Sequence, residues 1–80
     1  MTKKNLNKII SKTFSIKYNK VNNKLGINKI PQWDSIGHMN LFFAIEKEFK
    51  IKFDPEDIIS NLDYNSILST LEVYLDEKNQ

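Results

Sequence analysis

The chain has 80 residues, 40% of them apolar, a formal net charge of +2 and no cysteine. That length allows one domain, spanning residues 1–80, with a small core and little room for a deep catalytic pocket. Without cysteine there are no disulfides, thiolate metal sites or cysteine nucleophile, and a single histidine, His38, gives a zinc site or a Ser/His/Asp triad little to build on.

No apolar run approaches the roughly 20 residues of a membrane span, and the Lys-rich amino terminus has no apolar stretch behind it. A soluble, cytoplasmic monomer with no membrane partner is therefore expected. Charge is divided unevenly. Residues 1–33 hold eight lysines and no acid, whereas residues 34–80 hold ten acids against four lysines. The two halves could meet different partners, or the lysines and asparagines could simply fill solvated positions. Arginine, which makes the commonest base contacts in nucleic-acid complexes, is absent, so no nucleic-acid partner is expected.

In chain order, Leu6, Ile9, Ile10, Thr13 and Phe14 recur at helical spacing and predict a first helix over residues 3–16, with Thr2 available as its cap. Residues 17–33 lose that period. Asn22, Asn23, Gly26, Asn28 and Pro31 give them a loop composition, but Val21, Leu25, Ile27, Ile30 and Trp33 predict a loop packed over the bundle. Asp34 is placed to cap a second helix running to Phe49. Asp54-Pro55-Glu56-Asp57 opens a short third helix ending near Asn61, with a capping Asp, Pro at the first position and acids at the positive end. A fourth begins between Asp63 and Ser66 and sets Ile67, Leu68, Leu71, Tyr74 and Leu75 on one face. The fold class is all-α, a small bundle of three main helices and one short helix, with a long loop between helices 1 and 2.

The second helix has two apolar stripes. At about 100° per residue, Leu41, Phe42, Ile45 and Phe49 form a core face, while Ile36, Met39 and Phe43 lie roughly 130° away, continued by Glu46, Lys47 and Lys50. Such a helix is either buried all round or keeps one stripe for a partner. The second option suits a domain this small, and Met39 would adapt to varied partner surfaces. Ser35 follows the cap and borders the second stripe. By itself, Asp-Ser-Ile before an apolar run signals only a helix start. His38 falls on the core side and is expected to pack against the loop near Ile30 or Trp33 with one nitrogen hydrogen-bonded. Trp33 reads as a loop anchor, and Gly37 as relief of crowding near Ser35.

Residues 33–53, WDSIGHMNLFFAIEKEFKIKF, resemble the signature region of acyl and peptidyl carrier proteins, the phosphopantetheine-binding carrier family. In that family an Asp-Ser-Leu-type tripeptide opens the second helix and an E-x-E-F segment closes it, matching Asp34-Ser35-Ile36 and Glu46-Lys47-Glu48-Phe49 here. The resemblance extends over nearly the whole chain, through the long packed loop to the last helix with its terminal Tyr. It implies that Ser35, with Asp34 beside it, carries 4′-phosphopantetheine, transferred from coenzyme A by a phosphopantetheinyl transferase. It also implies that acyl- or aminoacyl-loading and acyl-transfer enzymes are partners, as in fatty acid or polyketide biosynthesis, and that the chain is not itself an enzyme.

Gly37 and Asn40 stand where the family's row of acids often has carboxylates, and Lys47 interrupts Glu46 and Glu48. Together with Trp33 and His38 flanking the Asp-Ser pair, this resembles carriers dedicated to specialised pathways. Partner recognition is expected to use Ile36, Met39 and Phe43 with Glu46, Glu48, Glu56 and Asp57, and to weaken as salt rises. The alternative is a non-catalytic interaction module in which Ser35 is only a helix cap.

Overall fold

Leu6, Ile10 and Phe14 recur every fourth residue and are all buried, which gives the first helix, α1 (Thr2–Phe14), its inward stripe. The computed structural model describes residues 2–78 and continues with α2 (Ser35–Phe49), α3 (Pro55–Ser60) and α4 (Tyr64–Lys78). All four helices and the α1–α2 loop contribute to one apolar core, in which Trp33, Leu41, Phe42, Ile45, Ile67 and Leu71 are fully enclosed. α1 lies against α2 and α4, and the Tyr64 hydroxyl donates to Asn7 Oδ1 at 2.6 Å, joining α4 to α1 inside that contact.

α1 ends two residues earlier than its apolar spacing predicts, and Thr2 stands within the helix instead of capping it. Ser15 turns the chain left-handed at φ 55°, so the Ile16 N–H reaches back to the Ser11 carbonyl at 3.1 Å and the Ser11 hydroxyl takes the Ile16 carbonyl. α2 stops in the same way. Lys50 adopts φ 57° and Ile51 N–H bonds the Glu46 carbonyl. Both ends therefore spend a non-glycine residue in the left-handed region, at about 1 kcal/mol each, to satisfy their last carbonyls.

The long loop is pinned rather than loose. It contains one short 3₁₀ turn, Tyr18–Lys20, and buries Val21 and Trp33. Midway it pairs with the α3–α4 connection through a bridge between Gly26 and Asp63, in which Ile27 N–H bonds the Leu62 carbonyl and Tyr64 N–H bonds the Leu25 carbonyl. At its end Trp33 stacks on Phe14 with ring centroids 5.1 Å apart, and Gln32 Nε2 donates to the Phe14 carbonyl. Ile51-Lys52-Phe53 is irregular and drops Phe53 into the core.

α3 begins at Pro55 as predicted, but the Asp54 carboxylate makes no capping bond. The Asp54 carbonyl instead accepts from the Asp57 and Ile58 N–H groups. α4 has the carboxylate cap, with Asp63 Oδ1 accepting the Ser66 N–H at 2.8 Å. No described helix is long and apolar enough to cross a membrane.

Candidate functional site

The amino-terminal end of α2 is set by three neighbouring residues with different roles. Asp34 is extended, and its Oδ1 accepts the Gly37 N–H at 2.8 Å while its carbonyl accepts the His38 N–H at 2.8 Å. Those two bonds cap the helix. Ser35, the first helical residue, is exposed, and its hydroxyl makes no hydrogen bond to any described residue. By their position in the first turn, the Ser35 and Ile36 N–H groups have no intrahelical acceptor and face outward at the positive end of a fifteen-residue helix. The capping work thus belongs to Asp34 and leaves the Ser35 oxygen without a structural task.

Gly37 is required by the loop. A Cβ at this position would land on the Gln32 carbonyl oxygen and come within 3.1 Å of the Phe14 ring, so the helix start and the loop end can touch only because there is no side chain here. The crowding it relieves comes from Gln32 and Phe14 and not from Ser35.

The two stripes of α2 separate as their wheel positions predict. Leu41, Phe42 and Ile45 are fully buried, and Phe49 is half-buried against the same core. Ile36, Met39 and Phe43 retain 73%, 38% and 55% of their exposure, an apolar strip beginning next to Ser35. Among the further exposed apolar side chains that sequence reasoning missed are Ile59 on α3 and Leu62 just beyond it. Their signal was the Ile58-Ile59 pair, because a helix of six residues packed on one side cannot bury two consecutive isoleucines.

The four acids assigned to recognition stand in different surroundings. Glu46 is half-buried and its Oε2 accepts the Phe53 N–H at 2.8 Å, which fixes the turn between α2 and α3. Glu48 lines a shallow groove on the α1 side together with Lys8, Lys12, Asn5 and Ile9. Asp57 is half-buried and accepts the Tyr74 hydroxyl at 2.5 Å. Tyr74 Oη also accepts the Asp54 N–H, a bond that favours the phenolate, but the Asp57 carboxylate and burial outweigh it and hold the phenol above the ordinary tyrosine value. Glu56 is exposed at the start of α3, and its carboxylate, like that of the exposed Glu48, makes no hydrogen bond or ion pair to a described residue.

No protein-family model matches the chain, and no curated protein matches it in sequence.

Behind Ser35 lies the one buried polar side chain among the described core residues. His38 is 4% exposed and held between Trp33, whose ring is nearly parallel to it, and Phe42, which meets it edge-on at 5.0 Å. Both ring nitrogens are engaged, one more than the sequence suggested. Nδ1 receives the Trp33 indole N–H at 3.0 Å, and Nε2 lies 2.8 Å from the Ile58 carbonyl. An indole nitrogen can only donate and a carbonyl can only accept, so the ring is neutral here with its proton on Nε2. Trp33 is a loop anchor, as expected, and also the group that sets this tautomer.

Proposed function

We propose that this protein is a carrier, and not a catalyst, whose Ser35 bears a 4′-phosphopantetheine arm and presents acyl or aminoacyl cargo to partner enzymes. The observation that carries the proposal is the free, exposed Ser35 hydroxyl at the head of α2, in a turn already capped by Asp34. The resemblance of Asp34-Ser35-Ile36 and Glu46-Lys47-Glu48-Phe49 to the acyl and peptidyl carrier signature supports it. So does the arrangement of three main helices and one short helix, with a long packed loop between the first two.

The residues present suit the arm. A phosphodiester on Ser35 Oγ would lie beside outward-facing backbone N–H groups at the positive end of a helix. The arm supplies a terminal thiol, which this cysteine-free chain lacks, to hold cargo as a thioester. In the loading step Ser35 Oγ attacks the coenzyme A phosphorus that bears the pantetheine arm. The pyrophosphate P–O bond breaks, adenosine 3′,5′-bisphosphate leaves with the electron pair, and the hydroxyl proton passes to a base on the transferase. Ser35 needs no base of its own. Ile36, Met39 and Phe43 then offer an apolar surface beside the attachment point, to partners or to the cargo itself.

The test is intact-mass spectrometry after incubation with coenzyme A and a broad-specificity phosphopantetheinyl transferase. The wild-type chain is expected to gain one arm, and Ser35→Ala none, with the same helical circular dichroism. An unmodified wild type, or a Ser35→Ala protein that gains the same mass, would overturn the proposal.

A further inference from the structure

α3 is six residues long, too short to hold its shape alone, so its position depends on what grips it. On one side α4 does so: Tyr74 bonds both Asp57 and the Asp54 N–H, and Thr70 Oγ1 donates to Asn61 Oδ1. On the α2 side Glu46 holds the preceding turn at Phe53, and the hydrogen bond to α3 itself comes from a single side chain. The Ile58 carbonyl belongs to the last turn of α3, where a carbonyl has no intrahelical donor, and His38 Nε2 reaches it across the core at 2.8 Å. His38 can donate there because the Trp33 indole occupies Nδ1 and keeps the proton on Nε2.

We propose that Trp33 and His38 form a positioning relay that caps α3 from within and holds it in register with the Ser35 end of α2. The surface thereby fixed includes the exposed Ile59, next in the chain after Ile58, together with Leu62 and Glu56. The inference rests on the carrier reading in one respect, that the transferase and later partners read this α3 surface when they approach Ser35. His38 itself is buried and touches neither arm nor partner. Its single turn of separation from Ser35 along α2 is what allows one residue to connect loop, modification site and α3.

Two substitutions separate its two bonds. Asn at position 38 retains an acceptor near Nδ1 for Trp33 but is too short to reach Ile58. Gln can extend a donor to Ile58. In His38→Asn, amide exchange of Ile58 and Asn61 is expected to accelerate by about tenfold, the effect of losing one buried hydrogen bond, while amides in the middle of α1 and α4 change less. Arm addition to Ser35 by the transferase and coenzyme A is expected to slow by a similar factor. His38→Gln is expected to recover most of both. Trp33→Phe preserves the stacking on Phe14 but frees the tautomer, and gives an independent variant if His38→Asn fails to fold. It should loosen α3 in the same way.

Equal acceleration in every helix, or no difference between Asn and Gln, would reduce His38 to ordinary core packing and overturn the relay. Faster α3 exchange with an unchanged rate of arm addition would overturn the link to recognition. If the wild type accepts no arm the carrier reading falls, while the exchange comparison still judges the relay by itself.

Discussion

The two faces of α2 contain similar residues and do opposite things. Leu41, Phe42 and Ile45 are sealed in the core, whereas Ile36, Met39 and Phe43, no less apolar, are left in water. Hydrophobicity does not distinguish them. Geometry does, because α1, the loop and α3 meet the inner arc, and no described element covers the outer one. The lesson extends to the acids. Glu46 and Glu48 lie two residues apart on the same helix, yet Glu46 holds the Phe53 backbone and Glu48 faces lysines across a groove.

Truncating a side chain on each face should give the largest difference. Leu41→Ala should lower unfolding stability by about 2–5 kcal/mol, the usual cost of a cavity at a sealed site. Met39→Ala and Phe43→Ala should each cost under about 1 kcal/mol, because their surroundings are already partly solvent. Urea titrations of the three variants decide the matter. Equal losses would mean that the outer strip is covered in solution.

Gly37 tests the join between the faces. Helix propensity alone says that Gly37→Ala should stabilise α2 by up to about 1 kcal/mol. The Gln32 carbonyl lies where the new methyl would go, so the expected result is a net loss of about 1–3 kcal/mol from overpacking. A stability equal to or above wild type in the same titration would show that the loop end yields freely.

The smallest and most discriminating effects concern the acids. Glu46→Ala should destabilise by about 1–2 kcal/mol, since it leaves the Phe53 N–H without its charged acceptor, while Glu56→Ala should fall within about 0.5 kcal/mol of wild type. Charge reversal at Glu56 should instead slow arm addition at low salt and lose that effect above physiological ionic strength, where the Debye length drops below about 8 Å. Rates that ignore both the reversal and the salt would assign recognition to the apolar strip alone.

Much of this molecule was determined by its local sequence. The four helices, the starts at Asp34 and Pro55, the packed loop and the separation of the α2 stripes all follow from periodicity and capping chemistry, which depend on neighbours within a turn or two. The free state of the Ser35 oxygen was only half legible, because Asp34 and Ser35 are both good caps and only the folded helix end shows that Asp34 bonds Gly37. What the tertiary structure alone decided is what each polar group meets at long range. Glu46 finds a backbone N–H seven residues on, Asp57 finds Tyr74, Gly37 meets the Gln32 carbonyl, and His38 spans from Trp33 to Ile58. Those partners are brought together by chain crossings in the fold, and a pattern of spacing along one helix carries no information about where another segment's carbonyl will lie.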